Sequence, residues 1–400
     1  VRTRDKVIRR DLQLVEGDVF NSSLVQRSRR NLQNLGYFEE VKLDTRRVAA
    51  EDRVDLTVDV KEKPTGAFTI GGGFSSVDGA LGTVSISQSN LFGLGKGASL
   101  SGQLGQNANR YNAVYTDPHF LDTDFLMEAH GFATLTRYEE NQGFNQSTTG
   151  GSLTAGHLLI EEINGSLTYT YQRVRIKDVD ESAPDLVKRQ AEESGGVSKT
   201  SSLTFALVRD TRDSFTEPTK GLRARAAFEY AGGFLDADSN FYKTSLEMSQ
   251  YWPIWWKFVG HIRGSIFYGE PFKDTPNLPV QERYFLGGAS TIRGFRNFTI
   301  SPKDRAGGDG ITGGDKAFFI NSEVLFPLHE QMRMRGLVFF DLGNVFDERD
   351  NFHWSVKRSA GVGIRFASPL GALRLEYGFN LAPQKGEKTT VLHFSAGTAF

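Results

Sequence analysis

The chain has 400 residues, with 47 Lys and Arg against 48 Asp and Glu, a net charge of −1 and a mean hydropathy of −0.37. No stretch approaches the ~20 consecutive apolar residues of a membrane helix, so an α-helical membrane protein is excluded, and the balanced charge argues against a nucleic-acid partner. Because there is no Cys, disulfide frameworks, thiol catalysis and thiolate metal sites are excluded together.

The first 63 residues read as a small α+β domain. A short helix is predicted over 5–12. Asn21 or Ser22 then caps a second helix whose stripe of Leu24, Val25, Leu32 and Leu35 runs among Arg27, Arg29 and Arg30 and stops at Gly36. Strands follow over 38–44 and 54–60. The chain starts so abruptly before the first helix that a preceding strand, and a longer protein, are expected. The domain boundary falls near Pro64.

From there to the C-terminus, segment after segment alternates. Val362, Ile364 and Phe366 oppose Gly363 and Arg365; Leu373, Leu375, Tyr377 and Phe379 oppose Arg374, Glu376 and Gly378; Leu392, Phe394, Ala396, Thr398 and Phe400 oppose His393, Ser395 and Gly397. A soluble sandwich hides its apolar face and shows charge outside, whereas a membrane barrel turns charge into a wet lumen. The 31 Phe, 12 Tyr and 43 Gly suit aromatic girdles and close strand packing. Sixteen antiparallel strands are predicted, over 67–75, 79–89, 96–106, 110–116, 124–137, 145–160, 162–177, 196–209, 221–232, 239–252, 256–269, 316–327, 334–343, 356–367, 372–380 and 390–400. Short and long connections alternate, the bacterial outer-membrane pattern, which would put residues 1–63 in the periplasm.

Residues 270–315 form an outsized loop rich in Gly, Pro and Asp, and a loop of this length is usually functional or disordered. It contains Ile292-Arg293-Gly294-Phe295. Arg293 offers a rigid fork suited to carboxylates, and Gly294 permits a tight turn. Alternation sets Glu323 opposite Phe318, Ile320, Val324 and Phe326, and Asp341 opposite Val338, Phe340 and Leu342, so both acids face the lumen. On the residues alone, Arg293 could equally be a solvated loop charge above acids that merely line a channel.

The tetrapeptide resembles the [V/I]RGF signature of the outer-membrane assembly-factor superfamily, a polypeptide-transport-associated (POTRA) domain followed by a 16-stranded barrel. Leu35-Gly36-Tyr37-Phe38-Glu39-Glu40-Val41 resembles the helix-to-strand turn of a POTRA domain, Asp341-Leu342-Gly343-Asn344-Val345-Phe346 a late-strand motif, and Phe400 the aromatic C-terminal signal. The turn directly before the barrel and Ser301-Pro302-Lys303-Asp304 favour the BamA-type branch over TamA-like factors and two-partner secretion transporters. The resemblance implies several things. Arg293, Gly294 and Phe295 would fold inward as a latch on Glu323 and Asp341. The clients would be unfolded outer-membrane proteins inserted into the bilayer, with periplasmic lipoproteins as partners and no cofactor.

The first and last strands form the second constellation. Phe68, Thr69, Ile70 and Gly71-Gly72-Gly73 face Phe394, Ser395, Ala396, Gly397 and Phe400, with Thr69 and Ile70 sought opposite Ser395 and Ala396. The glycines weaken ladder packing. They could serve curvature alone in an ordinary closure, but the resemblance implies a lateral gate whose opened edges pair with an incoming strand. A passive porin-like channel is the rival from another class. Enzyme motifs are lacking: there is no metalloprotease His pair, no nucleophile elbow and no Walker loop. Asp236-Ala-Asp238-Ser-Asn240 starts like a calcium loop but continues with Phe241 instead of Gly.

Overall fold

The computed structural model describes residues 3–48, 53–138, 143–160, 162–181, 183–303, 310–347, 352–353, 355–368 and 371–397. The N-terminal domain contains α1 (Asp5–Arg9), α2 (Ser22–Asn34) and a two-stranded antiparallel sheet of β1 (Phe38–Val48) and β2 (Arg53–Glu62). Asn21 caps α2, its side-chain oxygen accepting from the Ser23 N–H at 2.9 Å. Gly36 ends the helix at φ +72°. Val7, Leu32, Tyr37, Phe38 and Val41 form the small core between helices and sheet. The first helix is shorter than its sequence suggests because Asp11 and Leu12 donate to Ile8 and Arg9, bonds that tighten the chain into turns. By contrast β1 runs beyond residue 44, since backbone pairing such as Arg46 with Asp55 needs no apolar pattern to sustain it.

Sixteen strands then close into one antiparallel barrel: β3 (Gly66–Ser75), β4 (Gly79–Leu91), β5 (Lys96–Gly105), β6 (Ala108–Asp117), β7 (Leu126–Arg137), β8 (Asn145–Ile160), β9 (Ile163–Lys177), β10 (Val197–Asp210), β11 (Gly221–Ala231), β12 (Phe241–Pro253), β13 (Val259–Pro271), β14 (Lys316–His329), β15 (Met334–Phe346), β16 (Lys357–Ser368), β17 (Gly371–Asn380) and β18 (Thr390–Gly397). Each strand pairs with its sequence neighbours, and β18 returns to β3. The outer face is apolar, with Phe68, Ile70, Ile86, Leu100, Leu246 and Leu392 all exposed, while Glu323, Asp341, Glu376 and His393 are buried on the inner face. Among the described residues no helix is long and apolar enough to cross a membrane. A band of exposed hydrophobics around a polar interior is what a bilayer requires of a closed sheet.

The N-terminal domain sits against one rim. The Arg4 N–H donates to the Gly93 carbonyl (2.8 Å), the Asn90 amide donates to Thr3 Oγ1 (2.9 Å), and Lys6 Nζ pairs with Asp122 (2.9 Å), so the domain is held by the turns after β4 and β6. Gly95, at φ +69°, lies so close to Val7 that an added Cβ would come within 3.0 Å of it. At the opposite rim the segment between β9 and β10 contains α3 (Asp185–Glu192), which sequence periodicity did not reveal. This helix packs Val187 with Phe144, Ile176, Ala183 and Val280.

The seam between β18 and β3 pairs Ser395 with Ser75 and Ala396 with Phe74 among the described residues. Thr69 and Ile70 are therefore not the partners of Ser395 and Ala396. Closing a barrel imposes a stagger on the register, and here it sets the C-terminal ends of both strands against each other instead of their middles. Phe400 lies outside the described residues.

Candidate functional site

The segment between β13 and β14 folds into the barrel. Short bridges shape it, Tyr284 with Gly314 and Leu286 with Ile300, although no full strand forms there among the described residues. Its apolar side, Leu286, Ile292, Phe295 and Ile300, packs on Ala317 and Phe319 of β14 and Val345 of β15. Burying Ile292 and Phe295 contributes roughly 1.5–3 kcal/mol each, and this drives the turn between them against the inner wall. Arg283, Lys243 and Glu282 fix the root of the segment, with Arg283 Nη2 at 2.9 Å from Asp347 and Lys243 Nζ at 2.8 Å from Glu282.

Arg293 lies at the centre and is 1% exposed. Its Nε and Nη2 donate to the two oxygens of Asp341 at 2.7 and 2.6 Å, its backbone N–H donates to the same carboxylate at 3.0 Å, and Nη1 donates to Glu323 at 2.5 Å. Nη1 also faces Glu376 at 3.4 Å, and the guanidinium lies 3.6 Å above the Phe339 ring. The bidentate pair and the ring together fix the plane of the fork, which a lysine could not do.

The acids are shared further. Arg365 donates to Glu323 at 2.8 and 3.1 Å and to Glu376 at 2.7 Å; Arg374 reaches Glu376 at 2.7 Å; His261 Nδ1 lies 3.0 Å from Glu323. Three guanidiniums thus meet three carboxylates, a neutral set that offsets the cost of burying each ion. Burial alone would lower the pKa of Arg293, but the Asp341 hydrogen bonds and the surrounding carboxylates outweigh it and raise the value.

Gly294 completes the contact. Its N–H donates to His393 Nε2 of β18 at 3.1 Å, which fixes that nitrogen as the unprotonated acceptor. Its φ is +83°, and an added Cβ would come within 3.1 Å of Ser359 and 3.2 Å of the Gly378 backbone. The sequence pointed to Glu323 and Asp341 as partners of the loop arginine. It did not single out Glu376, Arg365, Arg374, His261 or His393, although alternation alone places Arg365, Arg374, Glu376 and His393 on the polar face.

At the seam Phe68, Ile70 and Phe74 point outward and are exposed, whereas Ser75 and Ser395 are buried. The Phe74 and Phe394 rings lie 6.0 Å apart, and the Ser76 N–H donates to the Phe394 carbonyl at 2.9 Å. Gly73 passes close to Ala396, so a side chain there would strike the β18 backbone at the Ala396 carbonyl. The ladder of β3 with β4 covers ten pairs from Gly66 to Ser75, but that of β3 with β18 covers only the two at its far end among the described residues. Thr69, Gly71 and Gly72 have no β18 partner among them.

Residues 90–400 match the Omp85 superfamily domain, and residues 1–63 match the POTRA family described as a surface antigen variable number repeat. The chain belongs to the Omp85 superfamily. It is 32% identical, over 95% of its length, to the outer membrane protein assembly factor BamA of Nitratidesulfovibrio vulgaris, and 27% identical over its whole length to BamA of Neorickettsia risticii. It spans about half the length of these curated relatives, 47% and 54%. In fold it is similar to the crystal structure of BamA from Haemophilus ducreyi lacking POTRA domains 1–3, with a TM-score of 0.85 at 21% identity, covering 98% of this chain and 81% of that one. The protein is an outer-membrane Omp85 barrel, and the rim carrying its POTRA domain is the periplasmic rim.

Proposed function

We propose that this Omp85 chain is the membrane-inserting part of an outer-membrane protein assembly factor, and that client strands enter the bilayer between β3 and β18. The seam carries this reading: among the described residues β18 pairs with β3 only at Phe74 and Ser75. Unpaired backbone groups are costly in lipid. Once the seam opens, the β3 edge along Thr69 to Gly72 offers an incoming chain hydrogen bonds at the membrane itself. Gly71, Gly72 and Gly73 let that edge bend, and Phe68, Ile70 and Phe394 keep its outer side apolar.

The latch supports the same division of labour. Arg293 ties the inward segment to β14, β15 and β17, and Gly294 ties it to β18, so these strands are braced up to the seam, while across it the Asn297 amide donates to the Ser76 carbonyl at 2.8 Å, just past the end of β3. A lumen holding this segment and its ion cluster is unsuited to steady conduction, which counts against the porin-like reading. The POTRA sheet, with β1 and β2 each having one unpaired edge among the described residues, fits extended client segments or lipoprotein partners. No fuel or cofactor is required, because the work is the lowering of a kinetic barrier.

The test is a seam lock. Cys introduced at Ser75 and Ser395 joins a register pair, and no native thiol interferes. In proteoliposomes the oxidised S75C/S395C protein should lose client insertion and recover it with reductant, while a bridge between Ala226 and Leu246, a register pair of β11 and β12, should leave insertion unchanged. Insertion by the locked seam at the rate of the reduced one would refute the gate.

A further inference from the structure

Three periplasmic turns, 211–220, 254–258 and 330–333, enclose a cleft of about 370 Å³. None of them belongs to a seam strand. Trp256, Phe258, Phe326 and Met334 form its apolar side; the Phe258 and Phe326 rings stack at 5.6 Å, and Trp256 meets Phe258 at 6.2 Å. The Phe326 ring covers Gly336, where an added Cβ would be 2.5 Å from it, and the Trp252 ring covers Gly260 in the same way. Both rings therefore pave a shallow apolar path up the lipid-facing wall.

The polar side of the cleft is cationic. Lys257 pairs with Glu330, and Arg335 lies 3.8 Å from Glu217. Arg333 has no carboxylate partner among the described residues; at φ +48° it sits at the tip of its turn, its N–H donating to the Glu330 carbonyl at 3.0 Å. Lys257, Arg333 and Arg335 against Glu217 and Glu330 leave one positive charge over, with His329 alongside. Three of the four tryptophans, Trp252, Trp255 and Trp256, fall within five residues here, and Trp255 and Trp256 are 76% and 66% exposed. Indole rings so exposed on a barrel mark the headgroup level of a leaflet.

We propose that this cleft binds the headgroup of an anionic phospholipid from the periplasm-facing leaflet. Its phosphate would meet Arg333 and Lys257, and its acyl chains would lie along Phe326 and Trp252. The surplus charge selects the occupant. A zwitterionic lipid brings no net charge to neutralise it, a lipid of charge −1 does, and a cation near the surface is worth about a fivefold change in binding.

Native mass spectrometry of the whole chain in detergent, with phosphatidylglycerol or phosphatidylcholine of matched acyl chains, tests this. Phosphatidylglycerol adducts should outlast phosphatidylcholine adducts. K257A/R333A should cut phosphatidylglycerol retention about fivefold per cation and leave phosphatidylcholine unchanged, and R333K should keep most of it. In vesicles, brominated phosphatidylglycerol should quench tryptophan emission more than brominated phosphatidylcholine, and R333A should abolish the difference. The heat-dependent gel shift of a folded barrel checks each variant. Equal retention of the two lipids, or an unaltered ratio in the double variant, overturns the assignment. So does displacement of the adducts by inorganic phosphate alone, which would mark a simple ion site.

Discussion

Gly294 and Gly378 meet backbone to backbone inside the barrel: a Cβ added to Gly378 would lie 2.7 Å from the Gly294 Cα. The loop that carries Arg293 thus docks on β17 without any side chain between the two strands of backbone. Replacing either glycine by Ala should push the segment off the wall, and at Gly294 the positive φ adds about 1–3 kcal/mol of strain. Limited proteolysis should cut within 272–303 in both variants and spare the native protein. Equal resistance would mean the contact is incidental.

The arginine cluster makes a sharper prediction. R293M leaves three carboxylates against two guanidiniums and should destabilise the barrel by about 3–5 kcal/mol, measured as a shift in its urea midpoint. The double variant R293M/D341L removes a charge of each sign and should recover a large part of that loss. R293K keeps the charge but loses the bidentate fork, and should fall between native and R293M. If the double variant is no more stable than R293M, Arg293 does not act through Asp341.

A pH dependence follows at the junction between the domains. The Lys6 hydrogen bond, followed by that ammonium's charge, holds the Asp122 carboxyl below its ordinary range. A folded-state pKa that is depressed gives a linkage fully present above the unfolded value and lost as pH falls through the folded one. At neutral pH the POTRA domain should therefore be tethered to the turn after β6, and acidification below the carboxylate range should release this tether. Distances between spin labels on the POTRA domain and the barrel should broaden on acidification in the native protein. D122N should give the broader distribution at every pH.

The edge of the POTRA sheet gives a fourth test. Deleting residues 1–63 should abolish client insertion in reconstituted membranes and leave the barrel folded by its heat-dependent gel shift. Full activity of the bare barrel would remove the domain from the mechanism.

The barrel was legible in the sequence because a period of two states which face each residue occupies. That is why the neighbours of Glu323 and Asp341 along their own strands were enough to place both acids in the lumen. What alternation cannot give is height, since it says nothing of how far each strand is shifted along its neighbour. Glu376 and His393 were readable as inward, but their meeting with Arg293 and Gly294 depends on the stagger of four successive strands. The same missing quantity misaligned Thr69 and Ile70 with Ser395 and Ala396. Helix α3 escaped for another reason: its apolar residues Leu186, Val187 and Ala191 are too few to stand out in a polar connection, and they are ordered by Phe144 and Val280 from distant parts of the chain.

The hydrogen bond from Gly294 to His393 joins residues 99 apart, and its acceptor stands on the final strand. Most strand pairs in this barrel can form as soon as the next strand is available, but this bond cannot. The inward segment can dock on β14, β15 and β17 beforehand, but its contact with His393 is made only when β18, the strand that closes the barrel on β3, arrives. Such distant pairings slow folding, because the entropy of closing the loop must be met before the contact gives anything back. Closure of the barrel and completion of the loop's contacts thus depend on the same strand, since β18 both pairs with β3 and accepts from Gly294.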